Sequence, residues 1–73
     1  MGLLDVSQGL AWYTVRSHYF DPRSKRYVYK WQPARWVDNF TALSWPVELH
    51  EKMGLGSEHV LFQWNDSNWQ RIA

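Results

Sequence analysis

The sequence predicts a small α+β fold: an antiparallel sheet of hairpins with one short α-helix. Three observations carry that expectation. Runs rich in β-branched and aromatic residues recur at 10–20, 25–31, 36–40, 59–64 and 69–72. Turn-forming clusters stand between them, chiefly Asp21-Pro22-Arg23-Ser24 and Asn65-Asp66-Ser67-Asn68. Only the stretch from Ser44 to Gly54 carries both helix start and helix stop signals.

The first two runs form a hairpin around the Asp21-Pro22-Arg23-Ser24 turn. Side chains alternate between the faces of a strand, so its register decides which groups meet solvent. Pairing Phe20 with Arg26 across a five-residue loop collects Tyr13, Val15, Tyr19, Tyr27, Tyr29 and Trp31 on one face. The other face then holds Trp12, Arg16, His18, Arg26, Val28 and Lys30. This register segregates core from charge better than its neighbour and predicts a basic hairpin face with Trp12 among the cations.

Gln32-Pro33-Ala34-Arg35 connects to a third short strand at 36–40. Ser44 then caps a helix of two to three turns, with Pro46 in its first turn, Glu48 and Glu51 toward its start and Gly54 just beyond its end. Val47, Leu49 and Met53 are its expected contacts with the sheet. After Gly54-Leu55-Gly56-Ser57, the runs at 59–64 and 69–72 make a second hairpin. The spacing Trp-x4-Trp occurs at 31/36 and again at 64/69, and both pairs are expected to face each other across neighbouring strands.

The 73 residues allow one compact domain spanning 1–73. Six tryptophans have a stabilising role as their first explanation, because they let a short chain without cross-links build a core. The absence of cysteine excludes disulfides, thiolate metal sites and a cysteine nucleophile, and fits a reducing cytoplasm. Met1-Gly2-Leu3-Leu4-Asp5 has neither a basic n-region nor a long apolar stretch, so no secretory signal is expected. Gly2 invites an acylation reading, but Val6 stands where that pattern wants Ser or Thr. No window reaches the length of a membrane span. Two glycosylation sequons, at Asn39 and Asn65, are chance matches without an export signal.

Charge is unevenly distributed behind a net +1. Residues 12–36 hold six of the eight Lys/Arg residues and eight of the thirteen aromatics, opposed only by Asp21. The C-terminal half is acidic. Such asymmetry marks a surface for an anionic partner, and Trp12, Arg16, Arg23, Lys25, Arg26, Lys30 and Arg35 are the candidate partner-binding residues.

Enzyme signatures fail one by one. His50-Glu51 begins a zinc-protease HExxH pattern, but Gly54 occupies the place of its second histidine. Gly54-x-Gly56 begins a dinucleotide fingerprint, yet residue 59 is His and there is no room for the βαβ unit. Ser57 has no evident base, and His18, His50 and His59 are too widely spaced for a metal motif. A non-enzymatic protein without a cofactor is expected. Cations that neutralise phosphates beside aromatics that stack on bases also make a single-stranded nucleic-acid module a second expectation. The RNP1 pattern is absent, because Lys25-Arg26-Tyr27-Val28-Tyr29 contains no glycine.

With its dense block Arg26-Tyr27-Val28-Tyr29-Lys30-Trp31 and acidic stretch 46–53, the chain resembles small phage-encoded host-takeover proteins, in particular the RNA polymerase-binding transcription inhibitors and antiterminators. That resemblance implies a monomer in the bacterial cytoplasm that binds the large polymerase subunits and interferes with sigma-factor docking. It transfers no individual residue role.

Overall fold

The computed structural model describes residues 9–73, so the readings of Met1 to Asp5, Gly2 and Val6 lie outside the described residues. Among these residues a five-stranded antiparallel sheet is accompanied by one α-helix, an α+β arrangement as expected. The first strand, β1 (Leu10–Asp21), is the centre of the sheet. Twelve residues rise about 40 Å, enough to accept two partners in succession along one edge. These are β2 (Arg26–Trp31), beside residues 16–21, and β3 (Arg35–Asp38), beside residues 10–13. The other edge of β1 pairs with β4 (Glu58–Trp64), which in turn pairs with β5 (Trp69–Arg71).

Both β3 and β4 run antiparallel to β1 and are therefore parallel to each other, with β1 between them. Parallel strands cannot be joined by a tight turn and need a crossover. The helix α1 (Asn39–Met53) is that crossover, lying over β1, β3 and β4 and leaving β2 uncovered. Its position decides the core. Tyr13 and Val15 of β1 and Leu61 of β4 point to the helix side and are buried with Ala42 and Trp45 of α1. Ala11, Val37, Leu49 and Ile72 close around them. Spacing of i, i+3 and i+7 puts Ala42, Trp45 and Leu49 on one stripe of the helix.

The first hairpin forms, but in the neighbouring register. Phe20 faces Tyr27 and Asp21 faces Arg26, across a four-residue loop. Local turn chemistry selects this loop. The Asp21 carboxylate accepts hydrogen bonds from the Arg23 N–H at 3.0 Å and the Ser24 hydroxyl at 3.2 Å. Lys25 adopts φ 59° and returns its N–H to the Asp21 carbonyl at 2.7 Å. Tyr13, Val15 and Tyr19 keep the expected helix side, whereas Tyr27, Tyr29 and Trp31 move to the other face and Arg26, Val28 and Lys30 replace them. Arg16 and Lys30 accordingly lie on opposite faces, and the expected single basic face does not form.

The helix begins at Asn39 rather than at Ser44, and the third strand ends at Asp38. Pro46 lies inside the helix, and Glu48 and Glu51 follow it in the second half. A proline lacks only its own N–H and crowds one preceding carbonyl, so it does not fix the helix start when Ala42 and Trp45 upstream are buried. The Asp38 carboxyl faces the Thr41 hydroxyl, and this approach lowers its pKa without completing a side-chain cap hydrogen bond. Val47 is exposed, leaving Leu49 as the contact with the core among the three expected. Gly54 ends the helix as predicted, at φ 93°, with its N–H on the His50 carbonyl at 2.8 Å.

Trp64 and Trp69 pair across β4 and β5, as expected from their spacing, with ring centroids 5.4 Å apart. Trp31 and Trp36 do not pair with each other. β2 and β3 follow one another along the same edge, so Trp31 meets Arg16 and Trp36 meets Trp12 at 5.3 Å.

Replacing Trp45 by Ala should cost about 3–5 kcal/mol, a large share of the stability of a domain this size, and abolish a cooperative urea transition. Lys25→Gly should stabilise the fold by about 0.5 kcal/mol net and so raise the urea midpoint, because glycine enters the left-handed region without strain but is more flexible when unfolded.

Candidate interaction surface

With α1 on one side of the sheet, none of the described residues covers the other side, the open face. The alternation of β1 sends Trp12, Thr14, Arg16, His18 and Phe20 to it. β2 adds Tyr27, Tyr29 and Trp31, β3 adds Trp36, and the second hairpin adds Phe62, Trp64 and Trp69. Five of the six tryptophans therefore stand on the uncovered face, and Trp45 alone serves the core. This corrects the expectation that the tryptophans chiefly build the interior. Apart from the half-buried Phe62, these aromatics are between 37% and 62% exposed.

The rings support one another. Trp31 lies 5.0 Å from Phe62, Phe20 lies 5.7 Å from Tyr27 edge-on, and His18 stacks on Tyr29 at 4.3 Å with 16° between planes. Each such aromatic contact contributes roughly 0.5–1.5 kcal/mol beyond burial. Near the middle of the field the Arg16 guanidinium carbon is 5.1 Å from the Tyr29 ring centre, 5.5 Å from Phe62 and 5.9 Å from Trp31. The negative faces of these rings hold the cation where water is partly excluded. Its Nε is buried with no hydrogen-bond partner among the described residues. A cleft of about 440 Å³ opens at the far end between Trp12, Trp36 and Trp64. A second cleft lies over Thr14, walled by Trp31 and Trp69.

The seven candidate residues are dispersed around this surface. Trp12 and Arg16 belong to the open face. Arg26 and Lys30 point to the helix side of β2, beyond the edge of α1, while Arg23 and Lys25 occupy the hairpin turn. Arg35 lies on the helix side, with its guanidinium carbon 4.8 Å from the centre of the Trp45 ring. Cations thus surround the tip and edge of the first hairpin instead of lining one face. The aromatic residues passed over in the sequence reading, Tyr27, Tyr29, Trp31, Trp36, Trp64 and Trp69, are the ones the fold brings together. For Tyr27, Tyr29 and Trp31 the alternation was visible, but assigning them to the core side depended on the wrong loop length.

No family model, curated protein or solved structure matches the chain. Among the described residues no group of three or more His, Cys, Asp or Glu side chains is placed to hold a metal ion, and no helix is long and apolar enough to cross a membrane.

A second polar cluster lies on the helix side. Ser17 is fully buried, and its Oγ is 2.8 Å from His59 Nδ1 and accepts from Gln32 Nε2 at 3.0 Å. His59 Nε2 is 2.9 Å from Ser57 Oγ, whose hydroxyl donates to the Gly54 carbonyl at 2.7 Å. With the Ser57 proton committed to Gly54, His59 donates from Nε2, and in its neutral form Nδ1 accepts from the Ser17 hydroxyl. Burial, together with the nearby His50, lowers the pKa of His59 below its ordinary 6.5. The buried Ser17 hydroxyl has no access to a substrate, so this arrangement ties β1, β4 and the connector after α1 together.

A depressed histidine pKa means that the unfolded chain takes up its proton first as pH falls. The His59 contribution to stability is full above 6.5 and is lost as pH falls from there through the folded-state value. Urea midpoints measured between about pH 7 and about pH 5 should fall for the parent protein, and His59→Gln should flatten that slope.

Proposed function

We propose that the protein is a non-catalytic binding protein that docks a macromolecular partner through its open aromatic sheet face. The proposed partner is bacterial RNA polymerase, engaged at its large subunits so that sigma-factor docking is impeded and antitermination can follow. The observation that carries the docking reading is the placement of five tryptophans, three further exposed aromatics and Arg16 on the uncovered side of the sheet. Trp, Tyr and Arg are the side chains that dominate binding energy at protein interfaces. Rings already braced against one another lose little freedom on binding. The choice of polymerase comes from the resemblance to small phage-encoded inhibitors.

Charge then has a steering role. Arg23 and Lys25 at the hairpin tip, with Arg26 and Lys30 on the reverse side of β2, would accelerate encounter with an acidic patch and orient the hairpin on it. Inhibition requires no chemistry, because occupying a shared surface or favouring one polymerase conformation is sufficient.

The placement of Arg16 against Tyr29 and Trp31 favours a second reading, single-stranded nucleic acid, in which the cation meets phosphate while the rings stack on bases. The two readings separate in one experiment. Immobilised protein should capture core polymerase from a nuclease-treated bacterial lysate, and a Trp12→Ala/Trp31→Ala variant that keeps its far-UV spectrum should lose it. If the lysate yields no polymerase while a labelled oligonucleotide binds with steep salt dependence, the nucleic-acid reading replaces the first.

A further inference from the structure

The open face is too large and too apolar to stay bare on a monomer. Eight of its aromatic side chains are 37–62% exposed, as is Leu10 at 55%. At about 200 Å² for each whole aromatic side chain, those eight leave roughly 800 Å² of ring surface uncovered. The largest apolar patch on a typical monomer is about 300–600 Å². A standard specific interface takes about 800 Å² from each partner, so the area available here is what one stable contact uses.

Charge along the face indicates what covers it. Arg16 stands at the middle of the face, and at the C-terminal end of β1 Arg23 and Lys25 occupy the adjoining turn. Glu58 lies at this end too, 3.8 Å from the His18 ring that partners it. Towards the N-terminal end of β1, Asp66 lines the Trp12, Trp36 and Trp64 cleft, and Arg71 of β5, opposite Phe62, adds a cation on the face. Each end therefore carries both signs, Glu58 beside the basic turn at one and Arg71 beside Asp66 at the other. A two-fold axis lying between two such faces, across the direction of β1, turns the second copy over and reverses it. Arg23, Lys25 and Glu58 of each copy then meet the end of the other that carries Asp66 and Arg71, so opposite charges face each other, while the tryptophans of both faces meet between them.

We propose that two copies of this chain pack open face to open face about such an axis, closing an aromatic layer between their sheets. The contact is isologous, so it closes at two and leaves no face free for further addition. Sheets stacked in this way lie about 10 Å apart, a spacing that side chains from both inner faces fill. This departs from the monomer implied by the family resemblance. It is independent of the polymerase proposal, because it concerns the purified protein alone, and a partner that needs the same face would have to displace the second copy.

Size-exclusion chromatography with light scattering on the full-length chain, over a hundredfold range of concentration, tests it. Twice the monomer mass is expected at the upper end. Trp31→Glu, which places a charge in the middle of the open face and touches no residue under the helix, should return the monomer mass with an unchanged far-UV spectrum. Should that variant fail to fold, Arg23→Glu/Lys25→Glu provides the second arm: both side chains are exposed in the turn, and reversing them should raise the concentration needed for dimer by about tenfold. A monomer at every concentration overturns the proposal, as does a mass that grows beyond two. So does a parent protein that remains monomeric until a single-stranded oligonucleotide is added.

Discussion

The alternation of side chains along β1 is the constraint on which the rest of the structure depends. This strand pairs directly with three of the other four, so its parity is imposed on each of them. Tyr13, Val15 and Ser17 go beneath the helix, and Trp12, Thr14, Arg16 and His18 go to the open side. The register of β2 then follows from a few hydrogen bonds around Asp21. Shifting that turn by one residue would exchange Tyr27, Tyr29 and Trp31 for Arg26, Val28 and Lys30, replacing an aromatic hairpin face with a basic one. A carboxylate in a surface turn thus controls the chemistry of a face several residues away.

Fifteen helical residues can cover only part of a five-stranded sheet, and α1 covers the part nearest β3, β1 and β4. The buried apolar core is accordingly small, consisting of Tyr13, Val15, Leu61, Ala42 and Trp45. Polar ties supplement it. The chain of contacts through Gln32, Ser17, His59 and Ser57 joins the β2–β3 junction to β1, β4 and the connector after the helix. Thr14 adds another link on the open side, donating from its hydroxyl to the Gln32 carbonyl at 2.7 Å. Most of the aromatic content is thereby released from interior duty and stands where it can meet a partner.

Both hairpins, the helix stop at Gly54 and the Trp64/Trp69 pair were legible in the sequence, because each follows from local chemistry: turn-forming residues, a positive φ suited to glycine, a fixed loop length. The hairpin register was not, since it turns on whether Lys25 enters the left-handed region, which a lysine seldom does. Nor was the helix start. Phe40, Leu43 and Val47 are apolar yet exposed, so hydrophobic periodicity does not separate the two sides of α1. Of the candidate site, Trp12 and Arg16 were found on the face that stands open, and the remaining cations were separated from it by the register. The aromatic residues of the site carried a real signal, but their side of the sheet depends on where a distant helix packs.

The two close tryptophan pairs, Trp12 with Trp36 and Trp64 with Trp69, sit on adjoining strands at the same end of the sheet. Indole rings at such separations, and tilted at about 60° to one another, share their electronic excitation and acquire a circular dichroism that neither ring has alone. One pair joins β1 to β3 and the other joins β4 to β5. The protein consequently carries an optical gauge of its own strand alignment, written in residues that also face whatever docks there, so a spectrum can register both the closing of the sheet and the covering of its open side.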